Sequence, residues 1–435
     1  MSRPVQSPRA LIALFALPLL AILLVALLAA PARAQWGCST ARRGTHISIS
    51  ENNERRALLI SDAERCLEVR SVGAVEFTDD DADVRRLAFG GTLSVEETRG
   101  GVTRRVEFVE RDGRIARRYL QDGQVRDEAD GAAWIRGILP QVARESHIGA
   151  EARAARVLRQ RGVPGVLDEV RQIASGSVKR IYLAEILERG RPTDDDLRAV
   201  VRAADRHLSS DSDKGQVLRA VAERRGVDAG TLAAVVDAAR SISSDSEKAR
   251  VLASALSAPA ANADTRTTAA AVTRTISSDR AKGELLAALA PGATASDVMR
   301  AEWLRGARTI SSDSERRRVL MAALDSPTQG DALLTAPGAR DALFDVVDGI
   351  SSDRERGTVL RAIVRRDRLS QPALLAALRS AGRISSDREK AEVLLAAAAR
   401  RDALADEEVR RTFLKTTREI SSSSEYRRVM DAVIR

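Results

Sequence analysis

One eleven-residue pattern constrains this chain more than any other feature. ISSDSEKARVL at Ile242–Leu252 returns with small changes to the end of the sequence. Its relatives begin at Ile173 (a degenerate copy), Leu208, Ile276, Ile310, Ile350, Ile384 and Ile420, at spacings of 35, 34, 34, 34, 40, 34 and 36 residues. A unit this short cannot bury an apolar face alone, so stacked copies must share a core. Such an array builds length and surface and gives no reason to expect one catalytic pocket.

Each unit runs from an apolar residue through Ser-Ser-Asp and charged residues to an apolar pair, a turn and a second helix. Ser210, Ser244, Ser278, Ser312, Ser352, Ser386 and Ser422 stand where a helix N-cap belongs. An acid three residues later (Asp213, Glu247, Glu315, Glu355, Glu389, Glu425) has capping-box spacing and is expected to reach back to the cap N–H. Ala281 breaks that pattern. Asp245, Asp279, Asp313, Asp353 and Asp387 fall at N1, against the positive end of the helix.

The predicted repeat core comprises Val217, Leu218, Val251, Leu252, Leu285, Leu286, Val319, Leu320, Val359, Leu360, Val393 and Leu394. Val221, Ala255, Leu289, Ala323, Ile363 and Ala397 extend the same helical stripe. Second helices are expected over Thr231–Ala239, Thr267–Val272 and Pro372–Leu378. Residues 173–435 therefore read as an α-solenoid of about eight two-helix repeats, HEAT- or TPR-like. Helix spacings of roughly 8–10 Å would make it a rod or arc of about 70–80 Å. The 40-residue step between Ile310 and Ile350, with Pro327–Gly330 and Pro337-Gly338 inside it, predicts a loop or bend.

Ser-Ser-Asp invites a catalytic or calcium reading, and the pattern argues against both. A serine nucleophile needs a neighbouring base, usually His. His46, His147 and His207 are scattered and none recurs with the motif. Calcium loops concentrate acids as D-x-D-x-D-G, which is absent. Capping is the expected role, leaving a ladder of Ser and Asp along one edge for a partner to touch.

Residues 35–56 form a polar segment with a short extended run at His46–Ser50. From 57 to 129 the period is two. Strands are predicted at Ala57–Ile60, Leu67–Ser71, Ala74–Thr78, Arg86–Phe89, Thr92–Glu97, Thr103–Glu110 and Arg114–Gln121. Gly100-Gly101, Asp112-Gly113 and Asp122-Gly123 supply turns, and Asp-Gly between alternating runs signals a hairpin. This is an antiparallel β-meander with one face in need of cover. Residues 130–172 switch to helical periodicity as a linker or cap, with breaks expected at Pro140 and at Gly162-Val163-Pro164. Trp134 reads as an anchor at the junction, with ligand stacking as its alternative role. The fold class is α+β, mainly α.

The first 34 residues have the form of a signal peptide: Arg3 and Arg9, an apolar run over Leu11–Ala30, then Ala32-Arg33-Ala34. An uncleaved anchor is the rival, since that run is long enough to span a bilayer. Export makes Cys38 and Cys66, the chain's two cysteines, a possible disulfide, with two free thiols as the alternative. Removing Arg3, Arg9 and Arg33 from a formal charge of +9 leaves +6, with acids interspersed throughout. Aromatic residues make up 3% of the chain, so the stacking platforms of a nucleic-acid binder are missing. Nothing in the pattern asks for a metal or an organic cofactor.

Gly73–Phe77, the Arg114–Gly123 hairpin, Ala133-Trp134 and the Ile-Ser-Ser-Asp repeats together resemble the extracytoplasmic C-terminal region of beta-lactamase-sensor-type membrane metallopeptidases, over roughly residues 70–435. The peptidase signature of that family, H-E-x-x-H, has no counterpart here, because His46, His147 and His207 are followed by Ile, Ile and Leu. The resemblance thus implies a sensor or scaffold part without proteolysis. The sequence reading is an exported, periplasmic or extracellular, non-enzymatic protein that binds an envelope protein or peptide through its repeats. Two alternatives stand beside it. One is a sensor accessory whose β domain binds a small ligand. The other is a hydrolase using the Asp79-Asp80-Asp81 cluster, since paired acids can perform acid–base work.

Overall fold

Three two-residue turns set the register of the N-terminal sheet. Arg99 faces Val102 across Gly100-Gly101, Arg111 faces Arg114 across Asp112-Gly113, and Gln121 faces Gln124 across Asp122-Gly123. All six turn residues have positive φ, between 50° and 81°. That is the backbone twist a tight hairpin needs and the reason Gly and Asp occupy it. The computed structural model describes residues 46–52, 55–62 and 64–434. Within these the chain divides into two compact units, one up to Arg153 and one from Ala154 onward.

The first unit contains β1 (His46–Asn52), β2 (Arg55–Ser61), β3 (Arg65–Val72), β4 (Val75–Phe77), β5 (Val84–Leu87), β6 (Thr92–Arg99), β7 (Val102–Arg111), β8 (Arg114–Gln121) and β9 (Gln124–Arg126). The order β1-β2-β3-β6-β7-β8-β9 is antiparallel throughout, and β4 and β5 form a separate two-stranded ribbon. The meander is thus interrupted once, between β3 and β6. β9 went unread in the sequence because three exposed residues carry no alternation.

Helix α1 (Glu128–Glu145) covers the sheet. Its Ile135, Ile138, Leu139 and Val142 pack with Leu58, Leu67, Val69, Leu93, Val95, Val106 and Phe108, and with Val75, Phe77, Val84 and Leu87 of the ribbon. The helix continues through Pro140 rather than dividing there. Close approach is possible because Gly131 lacks a side chain: a Cβ there would lie 2.6 Å from the Tyr119 ring. A polar clamp fixes the same docking. Trp134 Nε1 donates to Glu97 at 2.7 Å, Arg65 pairs with Glu97 at 2.5 Å, and Arg65 also donates to Gln141 at 2.8 Å. Trp134 therefore ties α1 to the sheet, with its ring centroid 6.0 Å from that of Tyr119.

Helix α2 (Ala150–Gln172) is broken at Gly162, where φ is 64°. The remaining helices are α3 (Gly176–Arg189), α4 (Asp194–His207), α5 (Asp211–Ala222), α6 (Ala229–Ala238), α7 (Asp245–Ser257), α8 (Ala263–Thr273), α9 (Asp279–Leu289), α10 (Asp297–Arg308), α11 (Asp313–Leu324), α12 (Pro327–Thr335), α13 (Pro337–Asp348), α14 (Asp353–Val364), α15 (Gln371–Gly382), α16 (Asp387–Ala398), α17 (Arg401–Leu404), α18 (Glu407–Arg418) and α19 (Ser423–Ile434). They pack in successive pairs as a helical-repeat array of two layers. Helices α3, α5, α7, α9, α11, α14, α16 and α19 stack in one layer, and α4, α6, α8, α10, α13, α15 and α18 in the other. The six-residue excess before Ile350 is not an open loop. It forms α12, with Pro327 at N1, where a missing N–H costs nothing.

The twelve Val and Leu residues of the repeat pairs, from Val217 to Leu394, are each at most 3% exposed. Leu208, Ile242, Ile276, Ile310, Ile350 and Ile384, which lead each unit, are buried with them. Ala255, Ala323 and Ala397 alternate with Val221, Leu289 and Ile363 along the inner stripe, so small residues let neighbouring helices close on larger ones.

In the first unit, Arg153 and Asp81 are both under a tenth exposed and meet at 2.6 Å. Asp81→Asn keeps a residue that tolerates its φ of 58° but removes the carboxylate that faces the guanidinium. A loss of about 3–5 kcal/mol in urea unfolding is expected. A change of a few tenths would show that the pair carries no load.

Candidate functional site

Each first-layer helix begins with the same turn, and its polar atoms are used twice over. The cap hydroxyl of Ser210 accepts from the N–H of Asp213 at 3.2 Å, and Ser278 Oγ accepts from Ala281 at 3.3 Å. Ser244, Ser312, Ser352, Ser386 and Ser422 accept from the residue three further on at 3.4 Å each. One orphan amide of each helix is thereby satisfied.

The acid three residues on does not complete a capping box in these helices. From Ser244 onward, the cap N–H is already donated to the preceding unit, and at Ser210 the acid, Asp213, turns to Arg180 instead. Asp211 Oδ2 accepts from Ser243 and Ser244 at 3.1 and 2.7 Å. Asp245 holds Ser277 and Ser278 at 3.0 and 2.7 Å, Asp279 holds Ser311 and Ser312 at 2.9 and 2.7 Å, and Asp313 holds Ser351 and Ser352 at 3.0 and 2.7 Å. Asp353 and Asp387 repeat the bond to Ser386 and Ser422 at 2.7 Å. A carboxylate at N1 of one helix thus also faces the amides at the start of the next, where negative charge is doubly favoured. Among the described residues a reciprocal box forms at Thr193 and Asp196 of α4, outside the ladder.

Released from the cap, the glutamates cross to the previous helix. Glu247 meets Arg219 at 2.6 Å, Glu389 meets Arg361 at 2.8 Å, and Glu355 pairs with Arg317. Gly215, Gly283 and Gly357, each five residues past a cap Ser, make room for them. A Cβ there would come 2.7, 2.5 and 3.0 Å from a carboxylate oxygen of the next unit.

The sequence reading missed a third set. Lys214, Lys248, Lys282, Arg316, Arg356 and Lys390 are each under a tenth exposed. They reach across the hairpin to the turn that enters the next unit: Lys214 to Ser241 Oγ (2.8 Å), Lys248 to Thr275 Oγ1 (3.0 Å), Lys282 to the Thr309 carbonyl (3.0 Å), Arg316 to Gly349, Arg356 to Arg383 (3.0 Å) and Lys390 to Glu419 (3.4 Å). A cation near the last carbonyls of a second-layer helix satisfies orphan acceptors and complements the dipole. Burial pulls the Arg316 guanidinium below its ordinary value, while Asp313 and Asp279 oppose that. The visible signal was a basic residue four places after the cap Ser in every copy but the last, easily taken for a solvated face.

In the first copy only the Asp lapses, since Lys179 still reaches the His207 carbonyl at 3.2 Å, whereas Asp and cation both lapse in the last. Gly176 stands at the Asp position of the first copy, and Ser423 and Tyr426 stand at the Asp and cation positions of the last. The seam is thus a joint: its cap hydroxyls serve their own helices and its carboxylates the next unit, and no imidazole stands among the hydrogen-bond partners of these residues. The Asp residues of the expected Ser and Asp ladder are each engaged by the amides that open the next helix.

The Asp79-Asp80-Asp81 turn is also divided among separate partners. Asp79 pairs with Arg85 at 2.7 Å, Asp80 accepts from Thr78 Oγ1 at 2.6 Å, and Asp81 turns to Arg153. Cys66 lies in β3 opposite Ser61 and Thr98 and is not a free thiol. Cys38, its expected partner, and the signal segment 1–34 lie outside the described residues. Among the described residues no helix is long and apolar enough to cross a membrane, and no group of three or more His, Cys, Asp or Glu side chains is placed to hold a metal ion.

No family model and no curated protein matches the chain. A solved structure described as "Computational Design of Self-Assembling Cyclic Protein Homooligomers" aligns over 66% of this chain and 90% of its own at 12% identity. Its TM-score of 0.13 lends no support to any argument about fold or function.

Asp279→Ala would leave the amides of Ser311 and Ser312 without their acceptor. The expected cost is about 1–3 kcal/mol, with faster hydrogen exchange at those two amides, while Asp279→Asn loses less. An unchanged urea midpoint with unchanged exchange would remove the ladder from the account. At the end of α4, burial, then Lys179, Arg171 and Arg206, hold the His207 imidazole below its ordinary value. The histidine should therefore favour the folded state while neutral, and that contribution should fade as pH falls through the unfolded-state value. An NMR titration should place its midpoint below that of a model imidazole, and Arg206→Gln should raise it.

Proposed function

We propose that this protein is an exported, non-enzymatic scaffold that engages another envelope protein through the surface of its helical array. One observation carries the reading. The recurrent polar residues, which alone have the density to suggest chemistry, are taken up in capping their own helices and in joining one unit to the next. What the array offers outward is extended, repeated surface, and helical repeats commonly use such surface for peptides or proteins. The dispersed charge fits protein contacts better than a nucleic-acid footprint. Export rests on the sequence of residues 1–34, with periplasmic or extracellular residence, or a tether to the inner membrane if that segment stays in place.

Affinity capture from envelope extract with the chain from Gln35 onward tests the assignment. The expectation is recovery of a defined partner that is lost from a version lacking Leu208–Arg435. A deletion that retained every partner would rule out binding by the repeats.

A further inference from the structure

Positive charge gathers without compensation at one place in the array. The part of α2 that follows Gly162 and the helix α4 enclose a groove of about 200 Å³. Arg171, Arg202, Arg206 and His207 line it, over an apolar floor of Leu167, Ala199 and Ala203. No carboxylate stands in this lining. Three larger grooves on the array each include at least one: Asp297 and Asp345 in the first, Glu223 in the second, and Glu284 in the third.

The acids nearest in sequence are engaged. Asp168 pairs with Arg171 and lies 3.6 Å from Arg161. Asp205 accepts from Ser241 at 2.6 Å and faces Lys214 at 3.5 Å. Arg202 and Arg206 form no ion pair among the described residues. They stand four residues apart on one helix, a spacing at which like charges repel. Both are exposed, so neither adds to the core. The same field reaches His207. Burial, then Lys179, Arg171 and Arg206, hold its imidazole below the ordinary value, and no carboxylate opposes them.

We propose that this groove binds a phosphate group, as the free ion or as the monoester of a small molecule. A phosphate group carries about two negative charges near neutral pH and at least three acceptor oxygens. It can therefore take donors from several guanidiniums at once, in the paired geometry that Arg offers to phosphate. A carboxylate brings one charge and two oxygens and would leave part of the cluster unmatched. The groove is smaller than the roughly 300–1,000 Å³ of sites that bury organic ligands, which suits a small anion. The site goes beyond the scaffold reading and does not rest on it.

The test uses the whole chain from Gln35 onward and follows the His207 ring C–H signals by NMR, assigned by their loss in His207→Gln. Inorganic phosphate and glycerol phosphate are titrated separately at constant ionic strength in chloride. Saturable shifts of His207 are expected. Tighter binding of the inorganic ion assigns the site to free phosphate, and tighter binding of glycerol phosphate assigns it to a monoester. Arg202→Gln with Arg206→Gln should weaken binding about tenfold or more, with helical circular dichroism and Tm unchanged or higher. Arg354→Gln with Arg388→Gln removes the same charge from exposed positions elsewhere and should leave binding unchanged. Sulfate, whose charge is constant near neutral pH, should raise the His207 midpoint, because an adjacent anion favours the imidazolium. By reciprocity, sulfate should bind more tightly as pH falls through that midpoint. Shifts that never saturate, equal losses in the two double variants, or an unmoved midpoint would overturn the proposal.

Discussion

The array depends on a carboxylate at the first turn of one helix accepting the amides that open the next. Helix starts carry unpaired N–H groups and the positive end of the dipole, so a negative side chain there gains on both counts. In this chain the gain is shared between units. Asp279 sits at N1 of α9 and also holds the amides before α11, so the bond that finishes one helix positions its successor. Stacking thereby acquires a fixed register that apolar contact alone, being non-directional, would leave loose.

The other polar residues follow from that choice. Once the cap amide is taken, Glu247 and Glu389 have no local use and turn to Arg219 and Arg361 of the preceding helix. Glycines at 215, 283 and 357 clear the space. The buried Lys and Arg column binds the opposite end of each connection, where the second-layer helices leave carbonyls unpaired. Burying an ammonium is costly unless its protons find acceptors, and these do. Each unit thus contributes a negative group toward one helix start and a positive group toward one helix end. In such a linear array the folded state is stabilised mainly through nearest neighbours.

The β unit solves a different problem. Its sheet has one apolar face, and α1 covers it with four large aliphatic residues, closely seated through Gly131. Trp134, Glu97, Arg65 and Gln141 add direction to that contact. Trp134 is occupied as a donor to Glu97, which accounts for an aromatic residue at this point without a ligand.

The sequence by itself determined the existence of the repeats, their two-helix form and the buried Val-Leu pairs, because these follow from local periodicity. It also determined the hairpins, since Asp-Gly and Gly-Gly admit the positive φ that a tight turn demands. It gave the cap serines their place, because a cap bond spans three residues. Only the tertiary structure decided what Asp245, Glu247 and Lys248 do. These neighbours in sequence serve three different connections, and each reaches a residue 27 to 33 positions away. Capping-box spacing reports where a glutamate can reach; it cannot report that a neighbouring unit has already taken the amide.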